Sequence, residues 1–442
     1  EAVEGRPYWI RAGDSIKYYK NHFLRNRSLI RGNCFSRNYY TATFSLQFKH
    51  RGDVCYIAYH YPYTHSRLLA DLTGWQLRAQ RAAFEAPGLY FKVQNLTTTL
   101  LDNLVPVITI TQTDSRTNNG AFSIKESRRP YIFVTARVHP GESNSSWVMR
   151  GLLERLTDPY DEEIANLRRM YVFKVVPSLN PDGVICGNHR CSMAAKDLNR
   201  QWLNPSDIMH PTIFHTKCLI NLLSELDNAP YIYIDLHGHS RMKDIFVYGC
   251  DPRLSWRASD ARNPVFRGAD RVDESFLDLA EILHDVALPF SKHASDYSVC
   301  RVKETTGRVV VWRQFGVMRS YTLEATYCGT TRNCWGYANA SDDNGAGHQI
   351  SPCILEDMGS YLCKAFLQLD PASNYTAPPP GGSKLATRRE NPSNLKEKRK
   401  VDEGKTRAHP PSCTKYDDES RGNLVNDFDT VLTTFSKSKQ KQ

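Results

Sequence analysis

The chain has 442 residues, of which 40% are hydrophobic and 24% are charged, and its net charge is +10. This composition is typical of a globular protein with a full hydrophobic core, and it excludes a fibrous or wholly disordered chain. No run of about 18 apolar residues occurs, so the sequence predicts no membrane-spanning helix.

The first 60 residues are rich in aromatic and β-branched side chains, which favour strands. The clearest predicted strands are Tyr39–Phe48 and Val54–Tyr59. Two or three strands are not stable alone, so we expect residues 1–60 to be the C-terminal part of a β-sandwich-like module. Residues 1–13 contain no apolar run, and we therefore expect no signal peptide.

Residues 61–370 alternate apolar strands with helical patterns. The predicted strands are Val105–Ile110, Tyr131–Val138, Tyr171–Val176 and Tyr231–Leu236, and the predicted helices include Ser146–Leu156 and Ile213–Leu226. Strands that are apolar on both faces need cover on both faces. The pattern therefore predicts an α/β domain with a mixed, mostly parallel sheet and helices on both sides.

Residues 371–442 form a third region, which begins with the break signal Ala377–Ser383. It contains 14 Lys+Arg and nine Asp+Glu but few aromatic residues. We expect a basic, disordered tail. A basic body with a basic tail attracts acidic partners, and charge alone does not choose between nucleic acid and acidic peptides.

Two segments carry candidate metal ligands. His139 and Glu142 lie on a turn after the strand that ends near Val138, and His237 ends the strand that begins at Tyr231. Ligands bind at this edge of open α/β sheets, and two histidines with one carboxylate leave a coordination position open for catalysis. We predict that these three residues hold one zinc ion (Zn2+). His239 is the competing ligand, but it stands further from the strand end.

These segments and four further motifs resemble the zinc metallocarboxypeptidases, and most closely the cytosolic carboxypeptidases. The further motifs are Asn180-Pro-Asp-Gly-Val, Gly187-Asn-His-Arg190, Asp197-Leu-Asn-Arg200-Gln-Trp and Tyr321-Thr-Leu-Glu324-Ala-Thr. The resemblance covers roughly Gly5 to Leu367 and is nearest to the branch that shortens polyglutamate chains. It also implies that the chain starts inside the β module that precedes the family's catalytic domain.

The resemblance implies catalytic roles for three residues. Glu324 matches the general base, which takes a proton from the attacking water and delivers it to the leaving amine. Arg190 matches the arginine that polarises the scissile carbonyl. Asp197 would accept a hydrogen bond from His139 and fix its tautomer. If Glu324 were not the base, Glu304 would be the next residue to test.

The resemblance also implies residues that bind substrate. Asn199 and Arg200 match the pair that holds the terminal carboxylate, for which a guanidinium fork is well suited. Arg308 precedes the catalytic strand, where the family lines the pocket for the terminal side chain. A cation there would pair with a terminal Glu, and the alternative is an exposed arginine at a strand edge. Tyr297 and Tyr321 are candidates for the tyrosine that caps the substrate in secreted relatives.

The implied function is removal of C-terminal glutamates from polyglutamylated tubulin or other acidic tails. The resemblance implies the cytoplasm as the location, with microtubules or cilia as places of action, and scattered cysteines without export fit a reducing compartment. One alternative is a zinc acyl-amide hydrolase on the same fold, and another is a non-catalytic adaptor that binds acidic tails. We see no nucleic-acid-binding motif and expect neither nucleic acid nor membrane as partner. The sequence does not fix the oligomeric state.

Overall fold

The computed structural model describes residues 9–24, 38–48, 50–52, 54–85, 88–113, 129–226, 228–267, 271–332, 334 and 347–369. The chain divides into two compact units, Glu1–Pro62 and Tyr63–Gln442. The predicted basic tail, 371–442, lies outside the described residues, and the domain boundaries near 60 and 370 stay predictions. No helix among these described ranges is long and apolar enough to cross a membrane.

The first unit contains an antiparallel pair of strands, β1 (Asp14–Leu24) and β2 (Asn38–Ser45). Tyr18 stacks on Tyr40 across the pair, with ring centroids 5.2 Å apart. A sheet before the α/β unit agrees with the expected end of a β module. The predicted strand Val54–Tyr59 is wrong: this segment has no regular structure, because no strand in the described part of the unit pairs with it.

The second unit is built on a seven-stranded mixed sheet with the order β3-β4-β6-β5-β7-β9-β8. The four strands β6-β5-β7-β9 are parallel, whereas the pairings toward both edges are antiparallel. The predicted mixed α/β sheet is confirmed. The strands are β3 (Leu89–Thr98), β4 (Leu104–Gln112), β5 (Tyr131–Ala136), β6 (Val172–Val176), β7 (Ile232–His239), β8 (Ile245–Tyr248) and β9 (Arg319–Thr326).

Helices cover both faces of this sheet, as the buried strands require. They are α1 (His65–Glu85), α2 (Ser143–Leu156), α3 (Glu162–Met170), α4 (Pro181–Ile185), α5 (Pro211–Glu225), α6 (Asp278–Val286), α7 (Gly307–Phe315) and α8 (Pro352–Gln368). One core cluster joins the sheet to α1, α2, α3, α6 and α8. A second joins the opposite face to α5 and α7.

Side chains alternate along a strand, and this alternation decides which of them lie on the face of the sheet that α5 and α7 cover. In β9, Leu323 belongs to the first core cluster, so Glu324 points to the other side of the sheet. In β7, Leu236 belongs to the first cluster and Tyr233 to the second. Asp235, His237 and Glu324 therefore share the face that α5 and α7 cover, at the carboxyl ends of neighbouring parallel strands.

Candidate active site

The turn after β5 carries two of the predicted ligands and is held by Arg137. Arg137 adopts a left-handed φ of 56°, which is rare for a residue other than glycine. Its buried guanidinium donates to the main-chain oxygen of Pro140 at 2.7 Å and to Oγ of Ser146 at 2.8 Å. These bonds fix the chain between the strand and the first turn of α2, where Glu142 stands immediately before the helix.

His139, Glu142 and His237 converge in the structure. Nδ1 of His139 lies 2.7 Å from Oε1 of Glu142, and Nδ1 of His237 lies 2.9 Å from Oε2 of the same carboxylate. One potential ligand atom from each residue lies within 4.8 Å of the other two. His139 Nδ1 is buried and makes no well-directed hydrogen bond to any described residue. A buried ring nitrogen that lacks a well-directed hydrogen bond and lies beside two other potential ligand atoms fits a metal ion.

Each histidine uses its other ring nitrogen to contact a second carboxylate. Nε2 of His139 lies 3.1 Å from Oδ1 of Asp197, and Nε2 of His237 lies 2.8 Å from Oδ2 of Asp235. Such carboxylates fix the tautomer that leaves Nδ1 for a metal. Asp197 was expected near His139, but Asp235 was missed. The signal was available, because Asp235 precedes His237 by two residues and strand alternation puts both on one face.

The carboxylates of Glu142 and Asp235 favour positive charge on the neighbouring His237. Burial lowers the pKa of His237, but Asp235 and Glu142 outweigh it and raise that pKa well above its ordinary value. Burial opposes ionisation of Glu142, yet His139 and His237 hold its pKa well below the usual range. A divalent cation would satisfy the same carboxylates, so the residues present fit zinc.

Glu324 lies beside this cluster on the neighbouring strand. It is the register partner of His237 across the parallel pair β7 and β9. Burial raises the pKa of Glu324 to about 7, which suits a group that accepts and returns a proton near neutral pH. Glu304, the second choice for the base, contacts Trp256, Arg257 and Arg313 instead. His239 accepts from the main-chain nitrogen atoms of Arg241 and Met242, and it is not part of the convergent group.

The loop after α4 brings three further predicted residues to the site. Arg190 donates to Oδ2 of Asp197 through Nε at 3.0 Å, and its Nη1 lies 4.0 Å from Oε1 of Glu142. Asn199 accepts from the main-chain nitrogen of Gly307 at 3.0 Å, and its Nδ2 lies 3.4 Å from Nε2 of His237. Arg200 donates to the main-chain oxygen of Asn199. Their expected contacts with substrate stay predictions.

Arg308 lies in the first turn of α7 and is only 5% exposed, so the alternative of an exposed arginine at a strand edge is wrong. Its Nη1 contacts the main-chain oxygen of Gly249 and lies 3.4 Å from Sγ of Cys250. The guanidinium carbon lies 5.9 Å from the ring centroid of Tyr248. No carboxylate in the described part of the chain forms an ion pair with Arg308.

The two candidate capping tyrosines differ in position. Tyr321 is fully buried in the core on the face opposite Glu324, and its hydroxyl contacts the main-chain oxygen of Ser275. Tyr321 is therefore wrong as a capping residue. Tyr297 is half-buried and packs against Phe276 and beside Gly249. Its proposed role stays a prediction.

Comparison with known proteins defines the class. Residues 81–332, more than half of the chain, match the family model described as zinc carboxypeptidase. The match contains all three convergent ligands and Glu324. The chain belongs to the zinc carboxypeptidase family, and the predicted class, a metallocarboxypeptidase, is confirmed.

Relatives within this family carry a more specific name. The chain is 42% identical to cytosolic carboxypeptidase 1 of Danio rerio over 86% of this chain and 31% of the relative. It is 43% identical to cytosolic carboxypeptidase 1 of Homo sapiens, over 84% and 28%, and 42% identical to cytosolic carboxypeptidase 4 of Mus musculus, over 84% and 31%. The predicted similarity to cytosolic carboxypeptidases is confirmed, and the chain spans about 30% of the length of these relatives.

Solved structures agree on the fold. A metallo-carboxypeptidase from Burkholderia cenocepacia superposes with a TM-score of 0.52 at 21% identity, covering 70% of each chain. A metallo-carboxypeptidase from Pseudomonas aeruginosa gives a TM-score of 0.51 at 21% identity, covering 70% of this chain and 69% of that one. At this identity the similarity shows a shared zinc carboxypeptidase fold.

Proposed function

We propose that this chain contains the catalytic domain of a zinc-dependent protein deglutamylase, which removes C-terminal glutamates from acidic protein tails. Membership of the zinc carboxypeptidase family supports the reaction class, and the convergence of His139, Glu142 and His237 supports a resident metal. When bound, one zinc ion would act as a Lewis acid and make water nucleophilic near neutral pH.

The observation that carries the choice of glutamate is Arg308. Leaving a guanidinium buried without a counter-ion is costly, so the side-chain carboxylate of a terminal Glu that reaches Arg308 would be strongly favoured over an apolar side chain. Tyr248, which lies under Arg308, pairs with Thr322, two residues before Glu324 along β9. At about 3.3 Å per residue, Thr322 lies about 7 Å along β9 from Glu324, and this short separation supports a side-chain pocket at Arg308 close to the proposed base.

The chain's own residues divide the work of hydrolysis. Glu324 accepts a proton from the attacking water and returns it to the leaving amine, which its pKa of about 7 permits in both directions. Arg190 stands beside the metal ligands, where its N–H groups would stabilise negative charge that develops on the carbonyl oxygen. Arg200 would bind the terminal carboxylate, with Asn199 holding the loop against Gly307.

We further propose polyglutamylated tubulin or a similarly acidic tail as the substrate. The net charge of +10 supports attraction of acidic chains, an effect that weakens as salt rises. The word "cytosolic" in the names of the relatives supports a cytoplasmic location, where microtubules and cilia would offer such tails.

The test is a set of peptides that differ only in the last residue, incubated with zinc-loaded protein and analysed by mass spectrometry. We expect release of terminal Glu from glutamate-ended peptides and little release of terminal Leu, Phe or Lys. Polyglutamylated tubulin tails provide the second substrate. Preference for terminal Leu or Phe would refute the deglutamylase proposal. Binding of acidic peptides without any release would favour the adaptor, and hydrolysis of N-acyl amino acids alone would favour the acyl-amide hydrolase.

A further inference from the structure

One exposed aromatic side chain, Trp256, contacts two guanidinium groups. The indole of Trp256 is 44% exposed. The guanidinium carbons of Arg257 and Arg301 each lie 5.3 Å from its ring centroid. Stacked guanidinium groups keep their planar N–H edges available for carboxylates, which they bind in a bidentate manner.

Among the arginines around Trp256 and Glu304, one has no carboxylate partner in the described part of the chain. Glu304 accepts from Nε1 of Trp256 at 3.0 Å, from Arg257 at 2.9 Å and from Arg313 at 2.9 Å. Arg313 also pairs with Asp260 at 2.8 Å. Glu304 and Asp260 therefore balance Arg257 and Arg313. Arg301 is exposed, contacts the face of the indole, and forms no ion pair with any residue that the structure describes.

The loop Cys300–Thr306 connects this group to the catalytic residues. Its Thr305 accepts from the main-chain nitrogen of Trp202 at 3.2 Å, and the next helix begins at Gly307, which donates to Asn199. Asn199 in turn contacts His237. Main-chain atoms at the end of this loop thus contact residues of the candidate site, while the Arg301 and Glu304 side chains contact Trp256.

We propose that Arg301, lying over the exposed indole of Trp256, forms an outer surface that binds carboxylates of an acidic substrate chain several residues before its cleaved end. This inference rests on the proposed deglutamylase function and extends it from the terminal residue to the length of the chain. An extended peptide advances about 3.3 Å per residue, so residues several positions upstream of the terminal glutamate could reach this surface. Oligoglutamate carries a carboxylate on every residue, which matches a surface with surplus positive charge.

The first measurement is kcat/KM for oligoglutamates of two to eight residues. We expect kcat/KM of the wild-type protein to rise with length and then level off. Arg301→Gln should reduce the ratio of kcat/KM for the eight-residue peptide to kcat/KM for the two-residue peptide. The expected reduction is about two- to fivefold, the scale of one exposed ion pair. Raising the salt concentration should shrink that difference. The matched control is Arg81→Gln, which removes an exposed arginine of α1 and should leave the ratio unchanged.

The second measurement is binding of a fluorescent eight-residue oligoglutamate by anisotropy, in a Glu324→Gln background that prevents turnover. Weaker binding after Arg301→Gln, but not after Arg81→Gln, supports the outer surface. If the wild-type protein cleaves no peptide but this difference in binding is present, only the proposed deglutamylase function fails. Equal length dependence and equal binding in the Arg301→Gln and Arg81→Gln proteins would overturn the inference.

Discussion

Nδ2 of Asn144 lies 2.6 Å from the main-chain oxygen of Thr326 and 3.4 Å from that of Ala325. Asn144 stands in the first turn of α2, two residues after the predicted ligand Glu142, and Ala325 and Thr326 directly follow Glu324. One buried amide therefore ties the start of α2, which directly follows the predicted ligand Glu142, to the strand that contains the predicted base.

Removing this amide should destabilise the domain. Asn144→Ala leaves buried main-chain oxygens without their donor, which costs about 1–3 kcal/mol. Urea unfolding would measure the loss, and peptide hydrolysis should fall as Glu324 shifts relative to Glu142. The control is Asn221→Ala, an exposed amide that contacts Glu225 on α5. Equal unfolding free energies for the two variants would contradict the role given to Asn144.

Substitution of the predicted metal ligands should remove bound zinc. His139→Ala and His237→Ala should each lose most bound zinc by elemental analysis. Chelation of the wild-type protein should lower its Tm, because zinc binds the folded state preferentially. His239→Ala should retain zinc, since its ring accepts from Arg241 and Met242 outside the cluster. Loss of zinc from His239→Ala with retention in His237→Ala would reverse the assignment of the third ligand.

Asp235 should tune the affinity of the site without binding metal itself. Asp235→Asn weakens the partner of Nε2 of His237, and changes of this type cost about 10–100-fold in metal affinity. Competition with a coloured chelator would measure the shift. Thr135→Val, which removes the 2.7 Å bond from Thr135 to Asp235 and the 3.2 Å contact between Thr135 and the hydroxyl of Tyr233, should have a smaller effect. Wild-type zinc affinity in Asp235→Asn would show that Asp235 does not support the ligand.

The parts of the fold that the sequence predicted are those with strong local patterns. The strands β4, β5, β6 and β7 have mostly apolar sequences because both of their faces are buried. Strand β3 gave no such signal, since as an edge strand it exposes Lys92, Gln94 and Asn95. Val54–Tyr59 was predicted as a strand and is not one. Its composition favours a strand, but the segment pairs with no strand among the described residues, and pairing depends on tertiary structure.

The site was predictable where its chemistry lies in short motifs. His139 and Glu142 share one turn, and the end of a buried strand marks His237. The role of Asn144 could not be read from the sequence, because its partners Ala325 and Thr326 are about 180 residues away in the chain. The helix that contains Arg308 was also missed, since its run Val309-Val-Val favours strand and tertiary packing overrides that preference.

Glu324 should be required for chemistry and not for metal binding. Glu324→Gln should keep its zinc and lose about 10²–10⁴ in turnover, because only proton transfer is removed. Steady-state kinetics and elemental analysis on the same preparation would separate the two effects. Glu304→Gln is the comparison: it should lower the free energy of unfolding, since it weakens bonds to Arg257 and Arg313, and lose far less turnover. Near-normal turnover in Glu324→Gln would remove it as the base.

Arg308 should decide which terminal residue is released. Arg308→Leu removes the proposed partner of the side-chain carboxylate of a terminal Glu, and breaking a buried charge pair costs about 3–5 kcal/mol. At about 1.4 kcal/mol per tenfold, the preference for terminal Glu over terminal Leu should fall by two to four orders of magnitude, and less if water enters the pocket. The measurement is kcat/KM for paired peptides that end in Glu or Leu.

Arg190→Ala is the matched comparison for Arg308→Leu, because Arg190 lies beside Asp197 and Glu142 and not at Gly249 and Cys250. It should slow glutamate-ended and leucine-ended peptides by a similar factor, since stabilisation of the carbonyl oxygen does not depend on the terminal side chain. An Arg308→Leu protein that keeps the wild-type preference would place the specificity elsewhere. The buried guanidinium would then serve to hold the end of β8 through Gly249, and Arg308→Leu would lower stability without changing the ratio between the two peptides.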